Sequence, residues 1–314
     1  MAGRPHHTGS APHCTLTWED VSVRPIGINT WVWASPLTDA TLDPVLDHVA
    51  DLGFDAVELP LESVGDLSID VLGAALERTG LAPYVVGAMA PGRDLVAADE
   101  TTVAATQDYL RACIDLAAGI GAAAVCGPFY ASTGRVWRLG TEEREQAYAE
   151  WRAGLAPVVD HAGERGVVIG IEPLNRYETS LVNTVDQALT GLDGLLGPAL
   201  GLALDSYHLN IEERSSADAI RAAGEHLAHV QVCGSDRGAP GGDQTDWPAL
   251  VKALDDVGYA GPLNIESFTA DNASIATAAS IWRPLAATQD DLARDGLAFL
   301  RGLLASAAHD GGAP

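Results

Sequence analysis

Eight short apolar runs recur along the sequence, each followed by a longer stretch of helical character, and this alternation limits what the chain can fold into. The runs are PIGINTW (25–31), DAVELP (55–60), APYVVG (82–87), AAAVCG (122–127), VVIGIE (167–172), LGLALD (200–205), LAHVQV (227–232) and PLNIE (262–266). Near-continuous apolar character over so few residues fits strands buried on both faces, as in a parallel sheet. The helical stretches cover 41–52, 68–79, 100–120, 142–165, 184–196, 216–225, 246–257 and 288–305. Glycine often closes a helix just before the next strand, as in DLGFDAVEL, ERTGLAPYVV, ERGVVIGIE and DVGYAGPLNIE. That is the signal of a left-handed helix terminus. Eight consecutive βα units predict an α/β chain forming a single (β/α)8 TIM barrel over 23–305, with a disordered tail at 1–22 and a C-terminal tail at 306–314. A doubly wound open sheet is the alternative, but no GxGxxG follows the first strand.

Composition removes several function classes. The formal charge of −25 would repel nucleic acid and anionic membrane surfaces. No uncharged apolar run approaches the length of a membrane span. The opening MAGRPHHTGSAPHC lacks the apolar stretch of a secretory signal, so a cytoplasmic location is expected. The four cysteines (Cys14, Cys113, Cys126, Cys233) form no CxxC pair, which argues against a zinc ribbon or thioredoxin-type motif. Reduced thiols are expected, and Cys126 and Cys233, at the ends of apolar runs, read as small core residues. The only lysine, Lys252, lies in the helical pattern TDWPALVKALDDVG. A Schiff-base aldolase needs a desolvated lysine in its pocket, so that mechanism is set aside.

In a barrel of this kind the chemistry sits at the C-terminal ends of the strands, where the βα loops meet. Strand five ends in Glu172, strand six in Asp205 and strand eight in Glu266, while strand seven carries Gln231. A lone carboxylate closing a strand is commonly a helix cap. Oxygen-bearing side chains on four consecutive strands instead imply a compensating cation, because clustered carboxylates repel. Such an all-oxygen set favours Mn2+ or Mg2+ over zinc. The same rim carries Asn175, Arg176 and Glu178 after Glu172, and His208, Asn210 and Glu212 after Asp205. Arg237 lies in the glycine-rich GSDRGAPGGD, while Asn29, Trp31 and Trp33 end strand one and Glu58 and Glu62 end strand two. Taken singly, Trp31 and Trp33 read as packing, Arg176 as an ion pair and Glu62 as a helix-start carboxylate. Together they describe a polar, aromatic-edged pocket suited to a polyol.

The motifs GINTWVW, ELPLE, IEPLNRYETSLVNT, LDSYHLNIEE, DRGAPG, NIESF and IWRPLAATQDDLARDGLAFLR resemble the xylose-isomerase-like TIM barrels, and within them the ketose 3-epimerases. The resemblance runs from about residue 26 to 301. It implies a metal-dependent sugar isomerase or epimerase working by proton abstraction next to a carbonyl. The implied cofactor is Mn2+, with Mg2+ or Co2+ as alternatives, held by Glu172, Asp205, residue 231 and Glu266. Glu172 and Glu266 would serve as acid and base on opposite faces of the sugar, with His208, Arg237 and Glu178 binding substrate. Asn29, Trp31 and Glu62 are further expected substrate contacts. Two departures stand out: Gln231 where the epimerases have histidine, and VCGSDRG in place of a more acidic loop.

Other members of the superfamily supply competing expectations. A C-glycoside deglycosidase catalytic subunit cleaves the carbon–carbon bond of 3-keto-C-glycosides and works with a small β subunit. A keto-sugar or inosose dehydratase is a third possibility, and a sugar-binding barrel without turnover a fourth. A DNA-repair endonuclease would need a histidine-rich zinc site and a basic surface, which this acidic chain lacks. The resemblance also implies a homo-oligomer.

Overall fold

Each of the eight apolar runs forms a strand in the computed structural model, which describes residues 24–310. The strands are β1 (Ile26–Asn29), β2 (Ala56–Leu61), β3 (Ala82–Gly87), β4 (Ala124–Gly127), β5 (Val168–Ile171), β6 (Leu200–Asp205), β7 (Leu227–Val232) and β8 (Leu263–Ile265). All neighbours pair in parallel, and β1 pairs with both β2 and β8, which closes the barrel. The helices are α1 (Leu42–Leu52), α2 (Ile69–Thr79), α3 (Glu100–Ile120), α4 (Thr141–Arg165), α5 (Val185–Gly191), α6 (Ser206–Glu212), α7 (Ser216–Ala223), α8 (Trp247–Asp256), α9 (Ala273–Ala278) and α10 (Gln289–Asp310). Among the described residues no helix is long and apolar enough to cross a membrane.

The expected single barrel is therefore the observed fold, with differences at the loops and ends. The tail expected at 1–22 lies outside the described residues. The last helix continues to Asp310, past the expected boundary at 305, because the alanine-rich LLASAAH continues with strong helix formers. Helices α6 and α9 were not expected. Both begin at a short polar cap: Asp205 accepts the Tyr207 N–H at 2.9 Å, and Asn272 accepts those of Ser274 and Ile275. Where the sequence places a glycine at a helix end, it is used as such. Gly53 takes φ 94° and Gly121 takes φ 74°, the left-handed turn that returns the chain to the barrel.

Alternation along each strand divides the core in two. One face packs outward against the helices: Ile28, Val57, Val85, Val125, Ile169, Leu202, Val230 and Ile265 join Leu46, Leu72, Ile114, Leu155, Leu254 and Leu300. Trp151 of α4 is fully buried there, and its indole N–H reaches the Phe129 carbonyl at 2.8 Å. Burying one large apolar side chain contributes about 1.5–3 kcal/mol. The other face fills the barrel interior. Ala56, Ala82, Tyr84, Ala124, Cys126 and Ala203 make a compact cluster drawn from β2, β3, β4 and β6. On the β1, β2, β7 and β8 side the interior is polar, with Asn29, Glu58, His229, Gln231 and Asn264 all at 0% exposure.

Candidate active site

The carboxylates that the sequence places at successive strand ends do converge at one end of the barrel. Glu172 follows β5 directly, with its N–H on the Gly127 carbonyl at 3.0 Å and its own carbonyl accepting the Tyr130 hydroxyl at 3.1 Å. Asp205 ends β6 and is in register with Gln231 of β7. Glu266 follows β8, tied by its N–H to the Val232 carbonyl at 3.1 Å. Backbone pairing therefore sets all four positions, and the four residues are 5% exposed or less.

Arg237 and His208 complete the cluster. The loop after β7 turns through Arg237 N–H to Gly234 O and Gly234 N–H to Gly238 O, both 2.9 Å, and holds Arg237 at φ 69°. A non-glycine residue in that region costs on the order of 1 kcal/mol or more, consistent with a functional position. The Ser267 hydroxyl clamps the Arg237 carbonyl at 2.6 Å, and the guanidinium lies against the Tyr207 and Phe268 rings. Its Nη1 donates to Asp205 Oδ2 and, at 2.9 Å, to Glu266 Oε2. His208 Nδ1 accepts the Asn175 backbone N–H at 2.9 Å, and its Nε2 lies 3.3 Å from Glu172 Oε1 and 3.2 Å from Arg237 Nη2.

Burial and crowding set the protonation states. Burial pushes the Glu172 carboxyl up, opposed by the His208 hydrogen bond and aided by Asp205. Glu266 lies well above the carboxylate range for the same first reason; Arg237 lowers it, while Glu172, Asp205 and Glu58 raise it. Burial works against charging His208, yet the Glu172 hydrogen bond and the field of Asp205 leave its pKa raised. Burial also opposes the Arg237 charge, but Asp205 and Glu266 outweigh it and push its pKa well above the ordinary value. The site therefore holds more carboxyl groups than its one guanidinium can balance as carboxylates.

Among the described residues, Glu172, Asp205 and His208 bring ligand atoms within 4.8 Å of one another, a buried group able to hold a metal ion. His208 Nε2 also faces the Arg237 guanidinium at 3.2 Å, a donor that competes with a metal ion for that nitrogen. A further oxygen is available: Gln231 Oε1 is buried with no hydrogen-bond partner. Surplus carboxyl groups and an orphaned amide oxygen are the donor set that a hard divalent cation takes.

Above this floor lies a cavity of about 410 Å3, lined among others by Trp31, Glu62, Met89, Glu172, Glu178, His208, Arg237, Glu266, Phe268 and Ile275. Trp31, Glu62, Glu178, His208 and Arg237, all expected to bind substrate, thus border one space. Glu62 is oriented by the Trp31 indole N–H (2.9 Å) and the Ser35 hydroxyl (2.6 Å), and Glu178 by the Asn175 amide (2.7 Å). Asn29 departs from the expectation. It does not line the cavity and is fully buried, giving its amide N–H to Glu58 and capping the turn at Trp31. Arg176 makes a paired contact with Glu212 at 2.9 and 3.0 Å, the structural role that its bland reading gives it. His229 and Asn264 escaped the sequence reading, although each sits two residues before a site residue on its strand and so shares its inward face.

Two buried carboxyls, a histidine and an arginine thus meet at the mouth of an eight-stranded barrel, beside residues able to hold a metal ion. The chain is a member of the xylose isomerase-like TIM barrel family, whose profile matches residues 46–303. A ketose 3-epimerase from Arthrobacter globiformis is 31% identical over 278 residues, 88% of this chain and 95% of that protein. An L-ribulose 3-epimerase from Methylomonas sp. is 29% identical over 277 residues, covering 88% of this chain and 96% of its own. The crystal structure of a D-allulose 3-epimerase from Methylomonas sp. superposes with a TM-score of 0.83 at 30% identity, over 90% of this chain and 99% of that one.

Proposed function

We propose that the protein is a divalent-metal-dependent ketose 3-epimerase. The observation that carries this reading is the pair of buried carboxyls, Glu172 and Glu266, which both border the cavity. Their strands are separated by β6 and β7, so the two side chains approach a bound sugar from different directions. Inversion at the carbon next to a carbonyl needs this arrangement: one carboxylate removes the proton and the other carboxylic acid returns one on the opposite face. His208 and the Arg237 guanidinium, both on the cavity, are donors for the sugar oxygens on which negative charge develops. Glu62 and Glu178 accept hydroxyl protons farther along the cavity.

Glu172, Asp205, Gln231 and Glu266 are the residues that would hold the cation, Mn2+ in this reading, with Mg2+ or Co2+ as substitutes. A divalent ion there would supply Lewis acidity toward the carbonyl and enediolate oxygens. The reading includes a free ketose substrate, a cytoplasmic location and a homo-oligomer. The apolar outer wall formed by Met89, Phe268 and Ile275 favours one alternative use of the same proton abstraction. That alternative is carbon–carbon cleavage of a 3-keto-C-glycoside with a small β partner.

Chelator-stripped protein is expected to leave D-fructose, D-allulose, D-tagatose and L-ribulose unchanged, and Mn2+ to restore 3-epimerisation better than Zn2+, followed by chromatography of the sugars. Full activity after complete metal removal would refute the metal requirement. Cleavage of 3-keto-C-glucosides with no turnover of any ketose would replace the epimerase by the lyase.

A further inference from the structure

Below the cavity floor lies a chain of buried polar groups with no part in the proton transfers. Gln231 Nε2 donates to Glu266 Oε1 and to Glu58 Oε2, each at 3.0 Å. Glu58 is held in turn by the Asn29 amide on Oε2 at 2.8 Å and by His229 Nε2 on Oε1 at 2.5 Å. Strands β2 and β7 are not neighbours, so the Glu58 contacts to Gln231 and His229 cross the barrel interior. Asn29, Glu58, His229 and Gln231 are all at 0% exposure, and none of them lines the cavity. Gln231 Oε1 is left buried without a hydrogen-bond partner.

We infer that Glu58 is a positioning residue, which fixes the Gln231 amide with its nitrogen inward and its oxygen free, so that position 231 offers the site an oxygen ligand. Glu58 Oε2 already accepts the Asn29 amide N–H, so turning the Gln231 amide round would set its oxygen against an oxygen used as an acceptor. Glu266 alone is a weak anchor because it also serves Arg237 and borders the cavity. Glu58 does not line the cavity, and its hydrogen-bonded link to the site runs through Gln231. Metal-bound histidines are commonly oriented by a carboxylate on the far ring nitrogen, and here a primary amide has the same arrangement. The glutamine is then a substitute ligand suited to a hard cation, rather than the mark of a lost site. The inference rests on the metal-dependent reading proposed above.

The test measures Mn2+ dissociation constants from the paramagnetic resonance of free Mn2+, for wild type, Glu58→Gln, Gln231→Ala and the double variant. In Glu58→Gln the new amide can donate to Gln231 Oε1 and turn it, so Mn2+ binding is expected to weaken about 10- to 100-fold. The double variant is expected to bind no more weakly than Gln231→Ala alone. Wild-type affinity in Glu58→Gln, or additive losses in the double variant, would overturn the inference and leave the functional reading intact. A wild type that binds no Mn2+ overturns both. A second measurement needs no variant, in case Glu58→Gln does not fold. In glutamine-labelled wild type titrated with Mg2+, the Gln231 side-chain carbonyl carbon is expected to shift while its amide protons hold their positions. A shift confined to the amide protons would contradict the inference.

Discussion

Arg237 places one guanidinium between Asp205 and Glu266, in the space where surplus negative charge would otherwise go unbalanced. Removing one partner of a buried pair leaves the other uncompensated. Arg237→Ala is therefore expected to cost about 3–5 kcal/mol in metal-free protein, and Mn2+ should recover part of that loss by mass action. Denaturant unfolding with and without Mn2+ checks this; an equal loss in both conditions would mean that ion and arginine do not share the same charge. At the three described cysteines burial is the largest influence. It pushes the Cys113 thiol up to about 12 and raises Cys126 and Cys233 well above their ordinary value. All three are buried and free, so they should resist a disulfide reagent in the folded chain and react on unfolding. Rapid labelling of Cys113 in native protein would contradict its burial.

At the scale of elements, small residues inside the strands decide what the barrel can hold. A Cβ added to Gly27 of β1 would fall 1.8 Å from Asn264 Oδ1, in the polar half of the interior. Gly27→Ala should destabilise the fold by about 1–3 kcal/mol through overpacking, measured by chemical denaturation; no change would show that Asn264 moves freely. Helix α10 is tied to the neighbouring β1–α1 segment by Asp290, which accepts the Trp33 indole N–H at 3.0 Å and pairs with His48 at 2.8 Å. The His48 hydrogen bond holds the Asp290 carboxyl below its ordinary 3.8, with burial opposing. A depressed folded value contributes stability above 3.8 that is lost as pH falls through the folded value. Asp290→Asn is thus expected to melt lower at neutral pH, by about 0.2–1 kcal/mol for so exposed a pair. The gap should close in acid, and a gap that persisted there would rule out the ionised carboxylate as its cause. Elements of this size were legible because two periodicities were clear, apolar strands and glycine-closed helices. Helices α6 and α9 were not, since a cap such as Asp205 or Asn272 starts a short helix without any long apolar stripe.

The whole molecule is a closed barrel whose outer core is conventional and whose interior is chemically divided. The order and position of Glu172, Asp205, Gln231 and Glu266 could be read from the sequence because each stands at a strand end, where fold alone dictates the destination. Asn29, Glu58 and His229 could not be placed in the same way. Their roles depend on contacts across the barrel from β2 to β7, and linear spacing holds no record of such contacts. Arg237 could be located in its loop but not between two carboxyls, because that outcome depends on a left-handed turn at a non-glycine residue. In the proposed epimerase, Glu172 and Glu266 exchange a proton with the carbon beside a ketose carbonyl. Nuclear magnetic resonance of ketoses incubated in heavy water with Mn2+-loaded protein tests it directly. Deuterium is expected at C3 of the substrate and its epimer, and Glu172→Gln and Glu266→Gln should each slow its appearance by about 100- to 10,000-fold. Epimerisation without deuterium at C3, or exchange that survives both substitutions, would contradict the account.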